Sequence, residues 1–190
     1  MTDDNGTPND ASDDWFYYYV PVKDKASEAA GQDPFAIGVA KSKSPLGPWK
    51  DAIGKPLLTT SQTQIETIDP AFFVDEDGTG YLHFGTFGTQ LAIKMKKDAT
   101  TGRTSYTETE TKTDGTTPNL HTMKDADNNA NGPKGFFEAA WVFRKGDTYY
   151  NVYDGGKPGS GTATCVESNY QACIQYSTSD SRSAHGSTKA

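Results

Sequence analysis

The chain has 190 residues and a formal net charge of −7, and 34% of its residues are hydrophobic. The excess of acidic residues argues against nucleic acid or an anionic membrane surface as a partner. No run of about 18 apolar residues occurs, so no segment is expected to cross a membrane. The many aromatic, Gly and Pro residues favour short strands joined by turns, which is typical of all-β domains.

The first segment, residues 1–14, is polar and acidic, which is the opposite of a signal peptide. We interpret it as an N-terminal extension, and we expect that a leader has been removed or that the sequence begins downstream of one. Further along, Cys165 and Cys173 are spaced to close a small loop as a disulfide, with two unpaired thiols as the alternative. Because a disulfide is typical of an oxidising compartment, we predict a secreted protein.

Three aromatic segments resemble one another, at 13–24, 76–87 and 145–156. Each runs from an acidic or glycine-containing turn into a strand of aromatic and β-branched residues. Tyr17, Tyr81 and Tyr149 align in these segments at intervals of 64 and 68 residues. A second set of similar strands follows the first set, at 37–45, 91–99 and 174–182.

This repeating unit favours a β-propeller, in which sheets of several antiparallel strands are arranged radially. A β-sandwich would show evenly spaced strands without the longer period. The chain has room for fewer than three complete units, whereas propellers have about four to eight blades. We therefore predict an all-β partial propeller of about three four-stranded antiparallel blades over residues 15–181. A polar, loop-like insertion at 100–133 and a polar tail at 182–190 complete the predicted organisation.

Two carboxylates stand at corresponding places in neighbouring units. Asp69 precedes the apolar run 71–74, and Glu138 precedes the run 139–143. Because the innermost strand of each blade lines the propeller axis, both carboxylates would face one pocket. A carboxylate pair in an aromatic pocket suits glycoside hydrolysis, in which burial raises the pKa of the acid so that it keeps its proton. The alternative is that Asp69 is a turn residue and Glu138 a solvated edge residue.

Other catalytic chemistries find no support in the sequence. The three histidines are scattered, and HxxxH, CxxC, GxSxG and glycine-rich phosphate-loop patterns are absent. The acidic segment 75–80 is typical of a hairpin turn and lacks the spacing of an EF-hand. We therefore expect no metal site and no cofactor in this chain.

Three segments resemble glycoside hydrolase family 43, at 37–58, 68–85 and 136–156. The elements SPLGPW and IDP carry the resemblance by their order and spacing, and it spans residues 15–181. It implies a five-bladed β-propeller that acts by inversion as a β-xylosidase, α-L-arabinofuranosidase or arabinanase. The implied substrates are xylo- or arabino-oligosaccharides and polysaccharides of the plant cell wall. The complete family fold can also hold a central calcium ion.

By this resemblance Glu138 is the general acid, and Asp69 is the residue that orients it and tunes its pKa. Trp141, Phe136 and Phe87 are candidates for stacking on a sugar ring, with packing in the core as the alternative for each.

Three departures from the family pattern bear on activity. The family's general base is an aspartate of the first blade, and none of the aspartates in residues 1–14 has its apolar, strand-leading context. Ala139-Ala140 stand where the family usually has Gly-Pro, and a fifth blade does not follow. We interpret the chain as lacking the first and last blades of the ring.

Because a missing general base costs about 10²–10⁴-fold in rate, we expect weak or no hydrolysis by this chain alone. One alternative is a non-catalytic propeller fragment that binds carbohydrate without cleaving it. Another is a purely structural or interaction propeller, for which the substitution Glu138→Gln would change neither sugar binding nor hydrolysis.

Overall fold

The computed structural model describes residues 1–124, 132–133, 135–156, 173–180 and 188–189, which form three antiparallel sheets that follow one another along the chain. The first sheet has five strands: β1 (Thr2–Asp3), β2 (Trp15–Lys23), β3 (Phe35–Ser42), β4 (Lys50–Asp51) and β5 (Leu58–Thr59). They pair in the order β1-β2-β3-β4, and β5 also pairs with β3.

The second sheet also has five strands: β6 (Ala71–Val74), β7 (Gly80–Phe84), β8 (Leu91–Lys97), β9 (Thr104–Thr109) and β10 (Leu120–Thr122). They pair in the order β6-β7-β8-β10, and β9 also pairs with β8. The third sheet has four strands in chain order: β11 (Phe136–Lys145), β12 (Thr148–Gly155), β13 (Cys173–Ser179) and β14 (Thr188–Lys189).

Two short helices lie in the loops of the first two sheets. The helix α1 (Lys25–Ala29) joins β2 to β3, and α2 (Thr60–Thr63) follows β5. The Asp24 side chain caps α1 by accepting from two backbone N–H groups of its first turn. In the part of the chain that the structure describes, no helix is long and apolar enough to cross a membrane.

The predicted repeat corresponds to the strand order within each sheet. Tyr17, Tyr81 and Tyr149 lie in β2, β7 and β12, which are the second strands of their sheets. The second set of similar segments forms β3, β8 and β13, the third strands. The prediction of an all-β chain with about three antiparallel blades is therefore confirmed, with a fifth short strand added to the first two sheets.

The range 100–133, expected to be loop-like, contributes β9 and β10 to the second sheet. Tyr106 explains why β9 forms in a polar segment, since its ring stacks on Tyr17 with 4.8 Å between the ring centroids. Phe72 also stacks on Tyr106, with 5.5 Å between the two ring centroids. Tyr106 thus anchors β9, although the polar composition of this segment does not predict a strand.

Residues 1–14 contribute β1, which pairs with the start of β2. Arg103 holds this segment from the loop after β8, because its guanidinium pairs with Asp3 and also with Asp4 at 3.0 Å. The N-terminal segment is therefore attached to both the first and the second sheet.

The interface between the first and second sheets, called here the apolar interface, contains the largest core cluster. Its buried members are aliphatic and aromatic side chains of both sheets: Ile37, Leu58, Leu82, Phe84, Leu91, Ile93 and Met95. Tyr19 and Phe72 stack across the same interface with 4.9 Å between their centroids. Apolar burial of this kind is the main force that holds the two sheets together.

The interface between the second and third sheets, called here the polar interface, also contains buried hydrogen-bonded side chains. The Tyr149 hydroxyl donates to the Asp75 carboxylate at 3.0 Å. The Asn151 side-chain amide donates to the Gln90 side-chain oxygen at 2.7 Å. Because buried polar groups are costly unless they are paired, these contacts fix how the two sheets meet.

Candidate active site

Asp69 lies in the loop between α2 and β6, two residues before the strand begins. Its backbone adopts the left-handed region with a φ of 54°, which is uncommon for a residue other than glycine. The loop is fixed to the second sheet because the Gly85 N–H donates to the Ile68 carbonyl at 3.0 Å. Asp69 is thereby held at the end of the sheet where β6 begins.

Glu138 is the third residue of β11, and the strand is irregular on both sides of it. Register shifts lie between Phe136 and Glu138 and between Glu138 and Trp141, and Ala139 has a φ of 56°. Irregularities of this kind redirect the side chains beside them. The partly exposed Glu138 carboxylate accepts a hydrogen bond from the Thr86 hydroxyl at 3.1 Å.

Thr86 is the residue that joins Glu138 to the second sheet, and sequence reasoning missed it. It is 3% exposed and lies in the turn after β7. The turn needs glycine at Gly85, because its φ is 124° and a Cβ there would come within 2.2 Å of the Thr89 carbonyl oxygen. The only signal in the sequence is the pair Gly85 and Gly88, which marks a tight turn around a threonine.

The two predicted carboxylates are connected through the peptide that follows Glu138. Burial raises the pKa of Asp69 above its usual value, and a hydrogen bond from the Ala139 N–H to the Asp69 carboxylate opposes this shift. The structure thus brings Asp69 to the backbone beside Glu138, although the two residues belong to different sheets. The prediction that these two positions converge agrees with this contact.

A third carboxylate, Glu66, lies on the same loop as Asp69 and was also missed. Burial raises the pKa of Glu66, and repulsion from Asp33 and from Glu138 raises it further. The site therefore contains more negative charge than the two predicted carboxylates supply. No pattern marks Glu66 in the sequence, because it lies in a loop without strand periodicity.

The structure assigns Phe136 to the core rather than to a sugar-stacking surface. Its side chain is 4% exposed and packs with Tyr153 and Ala140. The Phe136 and Tyr153 ring centroids are 5.6 Å apart. The alternative of core packing is therefore the correct one for this residue.

Phe87 and Trp141 are both exposed, but they lie in different surroundings. Phe87 is 68% exposed and rests edge-on against Phe137, the residue before Glu138, with 5.5 Å between the ring centroids. Trp141 is 61% exposed and alternates along β11 with the buried Val142. It therefore points away from the polar interface, whereas Phe87 lies beside the carboxylate site.

The sequence profile of the family described as Glycosyl hydrolases family 43 matches residues 10–189. The chain belongs to this family. The match includes both carboxylate positions and every strand of the three sheets except β1.

Two relatives and one solved structure show how much of a family 43 protein this chain represents. An arabinoxylan arabinofuranohydrolase of Bacillus subtilis (strain 168) is 55% identical over 53 residues, which cover 26% of this chain and 10% of that protein. A beta-D-galactofuranosidase of Aspergillus niger is 27% identical over 126 residues, which cover 65% of this chain and 31% of that protein.

The crystal structure of a family 43 arabinoxylan arabinofuranohydrolase from Bacillus subtilis, in complex with cellotetraose, matches with a TM-score of 0.61 and 25% identity. The match covers 93% of this chain and 33% of that one. The chain therefore spans a third or less of the length of these three relatives. The predicted family and the propeller type of fold are confirmed.

The family pattern explains the backbone conformation of Ala139, the residue after Glu138. The family pattern leads us to expect glycine there, and Ala139 adopts a φ of 56° that glycine accepts more readily. The backbone therefore keeps the conformation suited to glycine, although the residue is alanine.

The aspartates of residues 1–14 lie away from Glu138. β7 and β12 run antiparallel to β6 and β11, so they begin at the opposite end of their sheets from the start of β6 and β11. β2 holds the same second place in the first sheet as β7 and β12 do in theirs. Its first residue, Trp15, therefore also lies at that opposite end. We call these two ends the Trp15 end and the Glu138 end. Since β1 pairs with the first residues of β2, residues 1–14 lie at the Trp15 end. They are not in place to act as the family's general base.

Two further expectations concern covalent and metal sites. Cys165 lies outside the described residues, so its disulfide with Cys173 stays a prediction. Among the residues that the structure describes, no three His, Cys, Asp or Glu side chains are grouped to hold a metal ion. These residues alone therefore supply no such group of ligands for the central calcium ion of the complete family fold.

Proposed function

We propose that this chain is the acid-bearing part of a family 43 glycoside hydrolase that removes arabinofuranosyl or xylosyl units from plant cell-wall polysaccharide with inversion. Glu138 is the general acid, and Asp69 is a positioning residue that acts on it through Ala139. The observation that carries the proposal is the convergence of Glu138, Thr86 and Asp69 where the second and third sheets meet.

The contact with Thr86 suggests how Glu138 delivers its proton. The Thr86 hydroxyl donates to Oε2 of Glu138, which leaves Oε1 to carry the proton. That proton passes to the glycosidic oxygen as the bond from the sugar C1 to this oxygen breaks. The hydrogen bond from Thr86 then stabilises the carboxylate that remains, since hydrogen bonds to ionised acceptors are the stronger ones.

Asp69 contributes by holding the backbone beside the acid. Its carboxylate accepts from the Ala139 N–H, so the peptide after Glu138 is fixed between two register shifts. A general acid must lie within hydrogen-bond reach of the leaving oxygen, so a displaced strand would reduce proton transfer. Phe87, which is exposed and supported by Phe137, supplies an aromatic surface for the sugar next to this acid.

The names of the relatives support furanosides ahead of xylosides. Both curated relatives reported above are named for furanose sugars, arabinofuranose in one and galactofuranose in the other. We therefore place the arabinofuranosyl unit first among the substrates and keep the xylosyl unit second. Secretion is part of the proposal, supported by the predicted disulfide between Cys165 and Cys173.

Azide rescue tests the role of Glu138 in the chain itself. Azide is a nucleophile that needs no general base. It therefore replaces the water that the family's general base would activate, a base that residues 1–14 do not supply. With phenyl α-L-arabinofuranoside, the phenolate leaves well only when an acid protonates it. We expect the chain to form arabinofuranosyl azide of inverted configuration, and we expect Glu138→Gln to reduce this rate by about 10²–10⁴-fold.

A second substrate separates loss of the acid from loss of the fold. The 2,4-dinitrophenyl arabinoside has a leaving group that needs no protonation, so Glu138→Gln should form azide product from it nearly as fast as the unsubstituted chain does. Equal rates of both proteins on the phenyl substrate would show that Glu138 is not the acid. Binding of arabino-oligosaccharide without product from either substrate would favour the non-catalytic carbohydrate-binding alternative.

A further inference from the structure

A cleft of about 300 Å³ lies at the Trp15 end of the first sheet. It is formed where β2 begins and where β3 runs into the SPLGPW loop, and it is lined by Trp15, Lys41, Ser42, Lys43, Ser44, Gly47, Pro48 and Lys50. This volume is at the lower limit of small-molecule sites, which lie at about 300–1,000 Å³ and combine an apolar floor with a few polar groups. The cleft is large enough for one sugar ring and a substituent.

Positive charge is concentrated in this cleft on a protein with a net charge of −7. The Lys43 ammonium lies 4.3 Å from the centroid of the Trp15 ring, and the Lys41 ammonium lies 4.9 Å from it. Lys50 lines the same cleft. Two ammonium groups thus lie over one half-buried indole, and a third lysine lines the same cleft.

None of these three ammonium groups forms an ion pair with a carboxylate of the residues that the structure describes. Lys43 donates to the backbone carbonyl of Asp13 at 2.7 Å, and the Asp13 carboxylate attracts it electrostatically from beyond ion-pair distance. The Lys41 and Lys43 ammonium groups lie over the face of the aromatic ring, which attracts a cation electrostatically. The cleft therefore presents net positive charge to whatever binds there.

A ligand that matches this cleft carries a negative charge on a body with an apolar face. The apolar lining contributed by Trp15 and Pro48 suits the C–H groups of a sugar ring, and the lysines beside it suit a carboxylate attached to that ring. A small inorganic anion would meet the charge but leave the apolar floor uncovered. A neutral sugar would cover the floor but leave the three ammonium groups unmatched.

We infer that this cleft is a second saccharide-binding site that recognises a sugar carrying a carboxylate, that is, a uronic acid unit. The site is separate from the carboxylate site, because it lies at the Trp15 end and Glu138 lies at the other. It binds acidic sugar through positive charge, whereas the site around Glu138 is itself acidic and disfavours such a ligand. The two sites therefore have opposite charge preferences.

Titration with trigalacturonic acid tests this assignment, with the neutral xylotriose as the matched ligand. Binding is followed by the indole N–H resonance of Trp15 in the full chain, identified from its loss in the variant Trp15→Phe. We expect trigalacturonic acid to shift this resonance saturably and xylotriose to do so at least about tenfold more weakly. Because the attraction is between exposed charges, raising sodium chloride from about 20 to 200 mM should weaken the binding severalfold.

Two double variants show which lysines matter. Lys41→Gln with Lys43→Gln should weaken binding of trigalacturonic acid by about tenfold or more. The control is Lys112→Gln with Lys145→Gln, which removes the same charge from two exposed lysines outside the cleft and should leave the affinity within about twofold.

Three results would overturn the inference. Equal weakening by both double variants would show that only net charge acts. Competition by sodium sulfate as effective as that by trigalacturonic acid would indicate a plain anion site with no preference for saccharide. A Trp15 resonance that does not move with trigalacturonic acid, while the chain remains folded, would show that the cleft does not bind this class of ligand.

Discussion

The two interfaces between sheets differ in the chemistry that holds them. The apolar interface joins the first and second sheets with a cluster of seven buried aliphatic and aromatic side chains. Among the residues that the structure describes, the polar interface joins the second and third sheets with three hydrogen-bonded pairs of side chains. Their partners are Gln90 with Asn151, Asp75 with Tyr149, and Thr86 with Glu138.

The difference between the two interfaces shows which pair of sheets is held in a defined relative position. Apolar contacts are non-directional and tolerate small shifts of one sheet against another, whereas hydrogen bonds fix distance and angle. Backbone strain gathers at the same place, because Asp69, Phe87 and Ala139 all have positive φ and all lie at or beside the polar interface. Strained backbone persists only where surrounding contacts determine it, and it is typical of functional sites. Glu138, the proposed acid, therefore lies at the interface that is better able to hold a side chain in a fixed position.

The largest effect is expected from a cavity in the apolar interface. Leu82 is fully buried in the middle of β7 and belongs to the main cluster. We expect Leu82→Ala to lower the free energy of unfolding by about 2–5 kcal/mol, because it removes apolar contacts and leaves a void. Urea denaturation followed by tryptophan fluorescence measures this change. Ile174→Ala is the control, since Ile174 is 86% exposed and its truncation should change the free energy by less than about 0.5 kcal/mol.

The polar interface should respond differently, because its side chains depend on each other. Gln90 and Asn151 are buried and pair their amides, so Asn151→Leu leaves the Gln90 amide without this partner. We expect a loss of about 1–3 kcal/mol from that single change. The double variant Gln90→Leu with Asn151→Leu should lose less than the sum of the two single variants, with a coupling of about 0.5–3 kcal/mol. Strict additivity in the double variant would mean that the pair does not act as a unit.

A smaller and opposite effect is expected at the strained residue beside the acid. Ala139→Gly should raise the free energy of unfolding by about 0.5–1 kcal/mol, because glycine relieves the left-handed conformation at φ 56° while it loses more chain entropy on folding. The neighbour Ala140 is a matched control, since it is buried and lacks positive φ. Ala140→Gly should destabilise by roughly 0.5–1 kcal/mol. The same sign for both substitutions in urea denaturation would contradict the assignment of strain to Ala139.

Much of the fold and part of the candidate site were predictable from residue patterns. The aromatic repeat predicts the three sheets, because each period carries the same second and third strands. Asp69 and Glu138 are predictable as a pair, because each precedes an apolar strand at the same place in its period. Their roles also depend on the similarity to family 43, since spacing alone does not distinguish an acid from a turn residue.

The remaining features depend on contacts between distant residues. Thr86 reaches Glu138 across 52 positions of sequence, and only the fold of the turn after β7 brings it there. Phe136 and Phe137 are both buried, whereas strict alternation would place one of them outside, so the register shift in β11 explains why Phe136 takes the core alternative. β9 was not predicted, because its anchoring residue, Tyr106, has polar neighbours in the sequence.

The smallest predicted effect concerns the charge of Asp69 at the polar interface. Burial raises the pKa of Asp69, so the folded chain holds this proton more tightly than the unfolded chain does. Stability should therefore fall as the pH rises from the usual pKa of about 3.9 through the raised value. Asp69→Asn removes this dependence, so its stability relative to the unsubstituted chain should increase with pH through that range. The change should stay below about 1 kcal/mol, because the group is only partly buried and solvent screens it.

Asp114 provides a control with the opposite sign. The Thr117 hydroxyl and backbone N–H, with help from Thr116, lower the pKa of Asp114 to about 2, so its contribution is present at neutral pH and is lost as the pH falls from about 4 to about 2. Asp114→Asn should thus be less stable than the unsubstituted chain at pH 7, and the difference should vanish in acid. Thermal unfolding between about pH 2 and pH 7 compares the two variants. If the stability difference for Asp69→Asn is constant across this range, the substitution acts through the left-handed backbone, which asparagine tolerates well, and the charge of Asp69 carries no cost in the folded site.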